Sequence, residues 1–123
     1  MLSLSGYNFY IYTSAADMRM GINGLSGIVR NEMALDPLSK GIIYLFFNGR
    51  LTQVKMLQFD GDGQALYYKR LARGTFGKPV YDPDCQAMMI ERKDVMLILE
   101  GIEIKYRKRY ERKSGKLTDQ PNQ

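Results

Sequence analysis

Apolar and polar positions alternate along some stretches of the chain and recur every three to four residues along others. That change of period predicts the elements. Residues 7–12 alternate loosely and are rich in β-formers, which predicts a first strand. Across residues 17–33, Met18, Ile22, Leu25, Ile28, Val29 and Met33 fall at helical spacing. Ser14 followed by Asp17 resembles a capping box with Asp in place of Glu, and Asp17 suits a helix N-terminus. Gly21, Gly24 and Gly27 interrupt the apolar stripe, each at a cost of about 1 kcal/mol relative to Ala. The expectation is a distorted helix packed tightly on a sheet; close approach to a ligand is the alternative. Residues 36–41 read as a loop.

Residues 44–79 predict three consecutive strands joined by two tight turns. Asn48-Gly49 suits a type I′ hairpin turn, because both residues tolerate positive φ. Asp60-Gly61-Asp62-Gly63 supplies the second turn. A two-residue loop of Asp62 and Gly63 would pair Phe59 with Leu66, Leu57 with Tyr68, and Lys55 with Arg70. The last pair sets like charges opposite each other at a cost of up to about 1 kcal/mol. Solvent, a carboxylate or an anionic ligand would have to offset it. Residues 74–84, with Gly77, Pro79 and Pro83, should be irregular, and residues 85–90 a short strand. Asp94 should cap a short apolar helix over 95–100 that ends at Gly101. Ile102, Ile104 and Tyr106 alternate and predict a last strand. The expected fold is α+β: an antiparallel sheet of about five or six strands, the 17–33 helix packed on one face, a second short helix and a basic C-terminal tail. We expect a single domain over 1–104 and a basic, flexible tail over 105–123.

Composition narrows the chemistry. The chain has 123 residues, room for one domain with a modest core. It contains no His, which removes Ser-His-Asp and Cys-His nucleophiles and His-ligated metals. A lone Cys85 rules out an intramolecular disulfide and any multi-Cys zinc site, and is expected to be a small buried hydrophobe. No stretch of about 18 apolar residues is present, and the start, MLSLSGYNFYIY, lacks the layout of a signal peptide. A cytoplasmic location is expected. The net charge is +5, yet residues 105–116 alone carry seven bases and one acid, so the remainder is nearly balanced at −1. Asp60 and Asp62 read as turn residues; an EF-hand would need Glu where this chain has Leu71.

Three blocks carry a resemblance. Residues 17–25, DMRMGINGL, are similar to a DMRKG(F/I)(D/N)GL signature. Residues 46–79 contain Phe47-Asn48-Gly49-Arg50, Val54-Lys55-Met56-Leu57, Asp60-Gly61-Asp62-Gly63, Lys69-Arg70-Leu71 and Gly74-Thr75-Phe76, in order and at familiar intervals. Residues 94–103, DVMLILEGIE, are similar to a closing L..LLEGI. Together these resemble the TnpB-type accessory proteins of the IS sixty-six class of bacterial insertion sequences, with Met20 standing where Lys is usual, Ala72 where Glu is usual and Gly77 where Arg or Trp is common. The resemblance implies a non-catalytic role in transposition beside a separate transposase, through DNA, the transposase, or both.

The candidate phosphate contacts in the body are Arg19, Arg50, Lys55, Lys69, Arg70 and Arg73, with Tyr67 and Tyr68 beside them, able to stack or hydrogen-bond. In the tail, Lys105, Arg107, Lys108 and Arg109 interleave with Tyr106 and Tyr110, a pattern with non-specific affinity for nucleic acid. The bland reading of both is a solvated face and a solubilising tail. DNA and the element's transposase are the expected partners, with no membrane, metal or cofactor and no catalytic residues. A pure protein-interaction module is the alternative, and a small nuclease ranks last.

Overall fold

The computed structural model describes residues 6–77, 81–82 and 84–101. The elements run β1 (Asn8–Tyr12), α1 (Ile22–Asn31), β2 (Ile42–Phe47), β3 (Gln53–Phe59), β4 (Gln64–Arg70), β5 (Ala87–Ile90) and α2 (Arg92–Leu99). They form one five-stranded sheet in the order β4-β3-β2-β1-β5. Three pairings are antiparallel, as expected. The fourth, β1 with β2, is parallel, with Phe9 opposite Ile43 and Ile11 opposite Leu45. Helix α1 is the crossover that a parallel pair requires, so the fold is α+β with a mixed sheet. The expected last strand and the tail lie outside the described residues.

Strand alternation sorts the core into two layers. Phe9, Ile11, Ile43, Leu45, Phe47, Val54 and Met56 point to one face, where Val95 and Ile98 of α2 and the loop residue Phe76 cover them. Tyr12, Tyr44, Phe46 and Leu57 point to the other, under Leu25, Ile28 and Val29 of α1 and Met33 beyond it. Strand β2 is central and covered on both sides, so its sequence IIYLFF shows no polar alternation. The Tyr44 hydroxyl, fully buried, donates to the Asp36 carbonyl at 2.6 Å and so fixes the loop leading into β2.

Helix α1 is shorter than the 17–33 stripe. Its N-cap is Gly21, in extended conformation and without a side-chain cap bond. Ser14 donates instead to Gln86 Oε1 at 3.0 Å, and Asp17 accepts the Arg19 N–H at 2.9 Å, so neither caps the helix. Of the three glycines, only Gly24 is closely approached, by the Met20 side chain, and Gly21 and Gly27 face open space. The helix ends with the Leu35 N–H reaching back to the Val29 carbonyl at 2.9 Å, while Ala34 holds φ at 59°. Ala thus takes the left-handed conformation that favours Gly just past the helix end. Ala34 is exposed, so Ala34→Gly should raise stability by about 1 kcal/mol, read by urea unfolding; a loss of stability would refute this geometry.

Both turns of the β2–β3–β4 meander depart from expectation. Strands β2 and β3 are joined by residues 48–52, and the left-handed residue is Leu51 (φ 59°) rather than Asn48 or Gly49. The Asn48 side chain explains why: its Oδ1 accepts the N–H groups of Thr52 and Gln53, both at 2.9 Å, and its Nδ2 donates to Thr52 Oγ1 at 2.9 Å. An Asn bonding its own downstream backbone replaces the two-residue turn. In the second turn the Asp60 N–H bonds the Gly63 carbonyl at 3.0 Å, so the two loop residues are Gly61 and Asp62. Gly61 leads at φ 106°, a conformation that favours glycine. The Asp60 carboxylate accepts the N–H groups of Asp62 and Gly63 and locks the loop there. The register therefore sits two residues from the expected one: Phe59 pairs with Gln64, Leu57 with Leu66, Lys55 with Tyr68 and Gln53 with Arg70. Lys55 never opposes Arg70.

Helix α2 starts after Glu91, three residues ahead of the expected cap. Asp94 is fully buried in its first turn, where a carboxylate complements the helix dipole. At its end Gly101 adopts φ 85° and lies so close to the loop 71–77 that an added Cβ would meet the Thr75 carbonyl oxygen at 3.0 Å.

Candidate nucleic-acid interface

The register brings the C-terminal ends of β1, β2 and β4 and the N-terminal ends of β3 and β5 to one end of the sheet. The loops and the strand β4 carry four of the charged candidates to this end. Arg50 is exposed at the tip of the loop 48–52, which the Asn48 bonds hold in shape. Lys69 and Arg70 are exposed on the edge strand β4; one follows Val54 toward the α2 side, the other follows Gln53 toward the α1 side. Arg73 is exposed in the loop 71–77. That loop is pinned by Leu71 N–H to Thr52 O (2.9 Å), Phe76 N–H to Leu51 O (2.7 Å) and Gly77 N–H to Ile98 O (2.8 Å). Among the described residues, no carboxylate pairs with Arg50, Lys69, Arg70 or Arg73.

Two other candidates are engaged. Arg19 lies in the loop before α1 and binds Asp17 through both Nε and Nη2, the latter at 2.8 Å. The Arg19 guanidinium holds the Asp17 carboxyl at about 2, well below the ordinary carboxylate range. Arg19 thus reaches solvent as one half of an ion pair. Lys55 is 8% exposed, and its ammonium donates to the Met20 carbonyl at 2.7 Å and lies 5.0 Å from the centre of the Tyr68 ring. It ties β3 to the entry of α1 and is not placed for contact with a ligand. Lys105, Arg107, Lys108 and Arg109 lie outside the described residues.

Of the two tyrosines, Tyr67 packs against the α2-side core, whereas Tyr68 is 48% exposed on the other face and donates to Gln53 Oε1 at 2.5 Å. Nothing in the residue pattern marked Gln53 as a partner of Tyr68 or the Met20 carbonyl as the acceptor of Lys55. The signal for Gln53 was the true register, which the turn residues left ambiguous between Gly61 and Gly63.

The same end of the sheet turns acidic at its far edge. Asp82 and Asp84 precede Cys85, and the Cys85 carbonyl accepts the Thr13 hydroxyl at 2.6 Å. Strands β4 and β5 are the two edges, four strand spacings or about 19 Å apart, so this end carries cations at one edge and carboxylates at the other. Cys85 is exposed rather than buried, because β5 begins only at Ala87. The negative charge of Asp82 beside it raises the thiol above its ordinary value. Alkylation by iodoacetamide should therefore be slow at neutral pH and reach half its maximal rate above the usual thiol range. Asp82→Asn should move that midpoint down; an unchanged midpoint would show that Asp82 is not its cause.

Among the described residues, no group of three or more Cys, Asp or Glu side chains converges on a metal position, and no helix is long and apolar enough to cross a membrane. A small mixed-sheet α+β domain with a cationic edge is the class of protein these features define. The family model described as IS66 Orf2 like protein matches residues 7–109, and the chain belongs to that family, the accessory proteins of IS66-class insertion sequences. The matched span includes the first bases of the tail, Lys105 to Arg109. Two relatives from Sinorhizobium fredii are the uncharacterized proteins y4hO and y4jC. The first is 33% identical over 80% of this chain and 85% of its own length, the second 30% identical over 80% and 81%. No solved structure matches the chain.

Proposed function

We propose that this chain is a non-catalytic accessory factor in DNA transposition that binds DNA through Arg50, Lys69, Arg70 and Arg73. The observation that carries the reading is their gathering at one end of the sheet without a carboxylate partner among the described residues. Cations held on pinned loops and an edge strand and left unpaired fit phosphate oxygens, and the counterions that DNA releases on contact supply the driving force. Lys105, Arg107, Lys108 and Arg109 add to the same charge. A chain without His fits a binding role better than hydrolysis. The test is binding of the full chain to duplex carrying the ends of the insertion sequence and to scrambled duplex, titrated over salt. Steep weakening with salt is expected for both, with the element ends held more tightly. No binding at low salt would overturn the reading.

A second reading, docking on the transposase without direct DNA contact, rests on the opposite edge. The Thr13 N–H bonds the Gln86 carbonyl at 3.1 Å, so the alternation of the ladder turns the backbone groups of Ala87 and Met89 outward. Strand β5 carries no charge and Met89 is 56% exposed, an edge suited to strand addition. Co-purification with the transposase in the absence of DNA, abolished by Met89→Lys, would favour it.

A further inference from the structure

We infer that Tyr68 is a stacking platform for an unpaired base, so that the cationic edge takes a single strand of DNA in preference to duplex. The inference rests on the DNA-binding reading above and names the form of DNA. A base-stacking site needs an aromatic ring that is open on one face, held still, and flanked by cations and donors for the backbone. Tyr68 meets each condition. The Lys55 ammonium lies over one face of the ring at 5.0 Å, and the residue is still 48% exposed, so the other face opens to solvent. The ring is held at both ends of its reach. Its hydroxyl donates to Gln53 at 2.5 Å, and the cation under it is itself anchored to the Met20 carbonyl at 2.7 Å. Ordering the ring therefore costs little when a base arrives.

The backbone adds donors beside the ring. The Asp60 N–H to Gly63 carbonyl bond and the Leu71 N–H to Thr52 carbonyl bond fix the alternation of the β3–β4 ladder. By that alternation Val54 exchanges bonds with Lys69, and the N–H groups of Tyr68 and Arg70 point away from β3, out of the open edge. A strand running along β4 would meet two outward N–H groups, the side chains of Lys69 and Arg70 and one exposed ring. Duplex DNA presents the same phosphates but keeps its base faces stacked. The ring then has nothing to accept, and only the charge contributes.

The chain contains no Trp, so Tyr68→Trp supplies a single reporter in the ring's own position. Full-length protein and its Tyr68→Trp, Tyr68→Phe and Tyr68→Ala variants would be titrated with a mixed-sequence DNA oligonucleotide of about 12 nucleotides, alone and annealed to its complement. The single strand is expected to bind at least about fivefold more tightly than the duplex and to quench the emission of the Tyr68→Trp protein, which the duplex leaves unchanged. Tyr68→Ala should weaken the single strand roughly 5- to 150-fold and leave the duplex within about twofold, while Tyr68→Phe, which keeps the ring, should stay near wild type. Equal affinity for the two forms, with Tyr68→Ala neutral or equally harmful to both and no quenching, overturns this inference and leaves the DNA-binding reading standing. Failure to bind either form at low salt removes both.

Discussion

Replacing Arg50, Lys69, Arg70 and Arg73 together by alanine should abolish most of the affinity for DNA while leaving the fold intact. All four side chains are exposed, and none bonds a carboxylate among the described residues, so their loss breaks no ion pair there. Exposed substitutions of this kind stay within about 0.5 kcal/mol of wild-type stability. If each cation contacts one phosphate, the slope of log K against log salt should become shallower by roughly one unit per residue, or about four in all. Over a change from about 50 to 200 mM salt, four contacts correspond to roughly a hundredfold in affinity. Lys55→Met makes the contrasting control: it removes one positive charge that is covered by protein, so it should lower stability through the Met20 and Tyr68 contacts and change the salt slope hardly at all. A quadruple variant that binds DNA with an unaltered slope would show that the body of the protein makes no phosphate contacts.

The largest effect on stability is expected at Phe76, a residue in a loop. It is 2% exposed, and its ring meets Phe47 edge-on with centroids 5.6 Å apart. Its N–H also bonds the Leu51 carbonyl at 2.7 Å, and the next residue, Gly77, bonds Ile98 of α2. The loop is thus driven into the core between the sheet end and α2 by one aromatic side chain. Phe76→Ala should cost about 3–5 kcal/mol, a large share of the roughly 5–15 kcal/mol that holds a domain together. Urea unfolding would show it as a lowered midpoint. Because the same loop carries Arg73, freeing it should also cost DNA affinity, by no more than the Arg73→Ala variant does alone. A loss below about 1 kcal/mol would mean that Phe76 does not plug the core.

Much of this architecture could be read from residue patterns, and the failures have local causes. The helix stripe, the three-strand meander and the short apolar helix after β5 all follow from periodicity, because each element buries one face or both. The parallel pairing of β1 with β2 was not legible: nothing in NFYIY or IIYLFF says which direction its neighbour runs. The β3–β4 register was missed by two residues because Gly61 and Gly63 can each supply a left-handed turn, and the deciding bonds come from the Asp60 side chain. At the candidate site, the exposed cations Arg50, Lys69, Arg70 and Arg73 were legible as charge on turns and an edge. Lys55 was not, since its acceptor is the Met20 carbonyl, 35 residues away in sequence and supplied by a loop. Cys85 was misjudged because an apolar residue type next to a strand usually joins it, and here the Asp82–Asp84 turn keeps it outside.

The close seating of Gly101 on Thr75 fixes the point to which residues 102–123 are tethered. Thr75 is two residues past Arg73, so Gly101 sits beside the cationic edge. Four peptide links separate Gly101 from Lys105, a reach of about 14 Å at full extension. If Arg73 holds a phosphate as proposed, a tether of that length would offer it the first basic residue of the tail at an effective concentration in the millimolar range. On the DNA-binding proposal, two sets of cations joined in this way would multiply their affinities for one DNA molecule. A peptide of residues 102–123 added in trans at micromolar concentration should fail to restore what truncation after Gly101 removes.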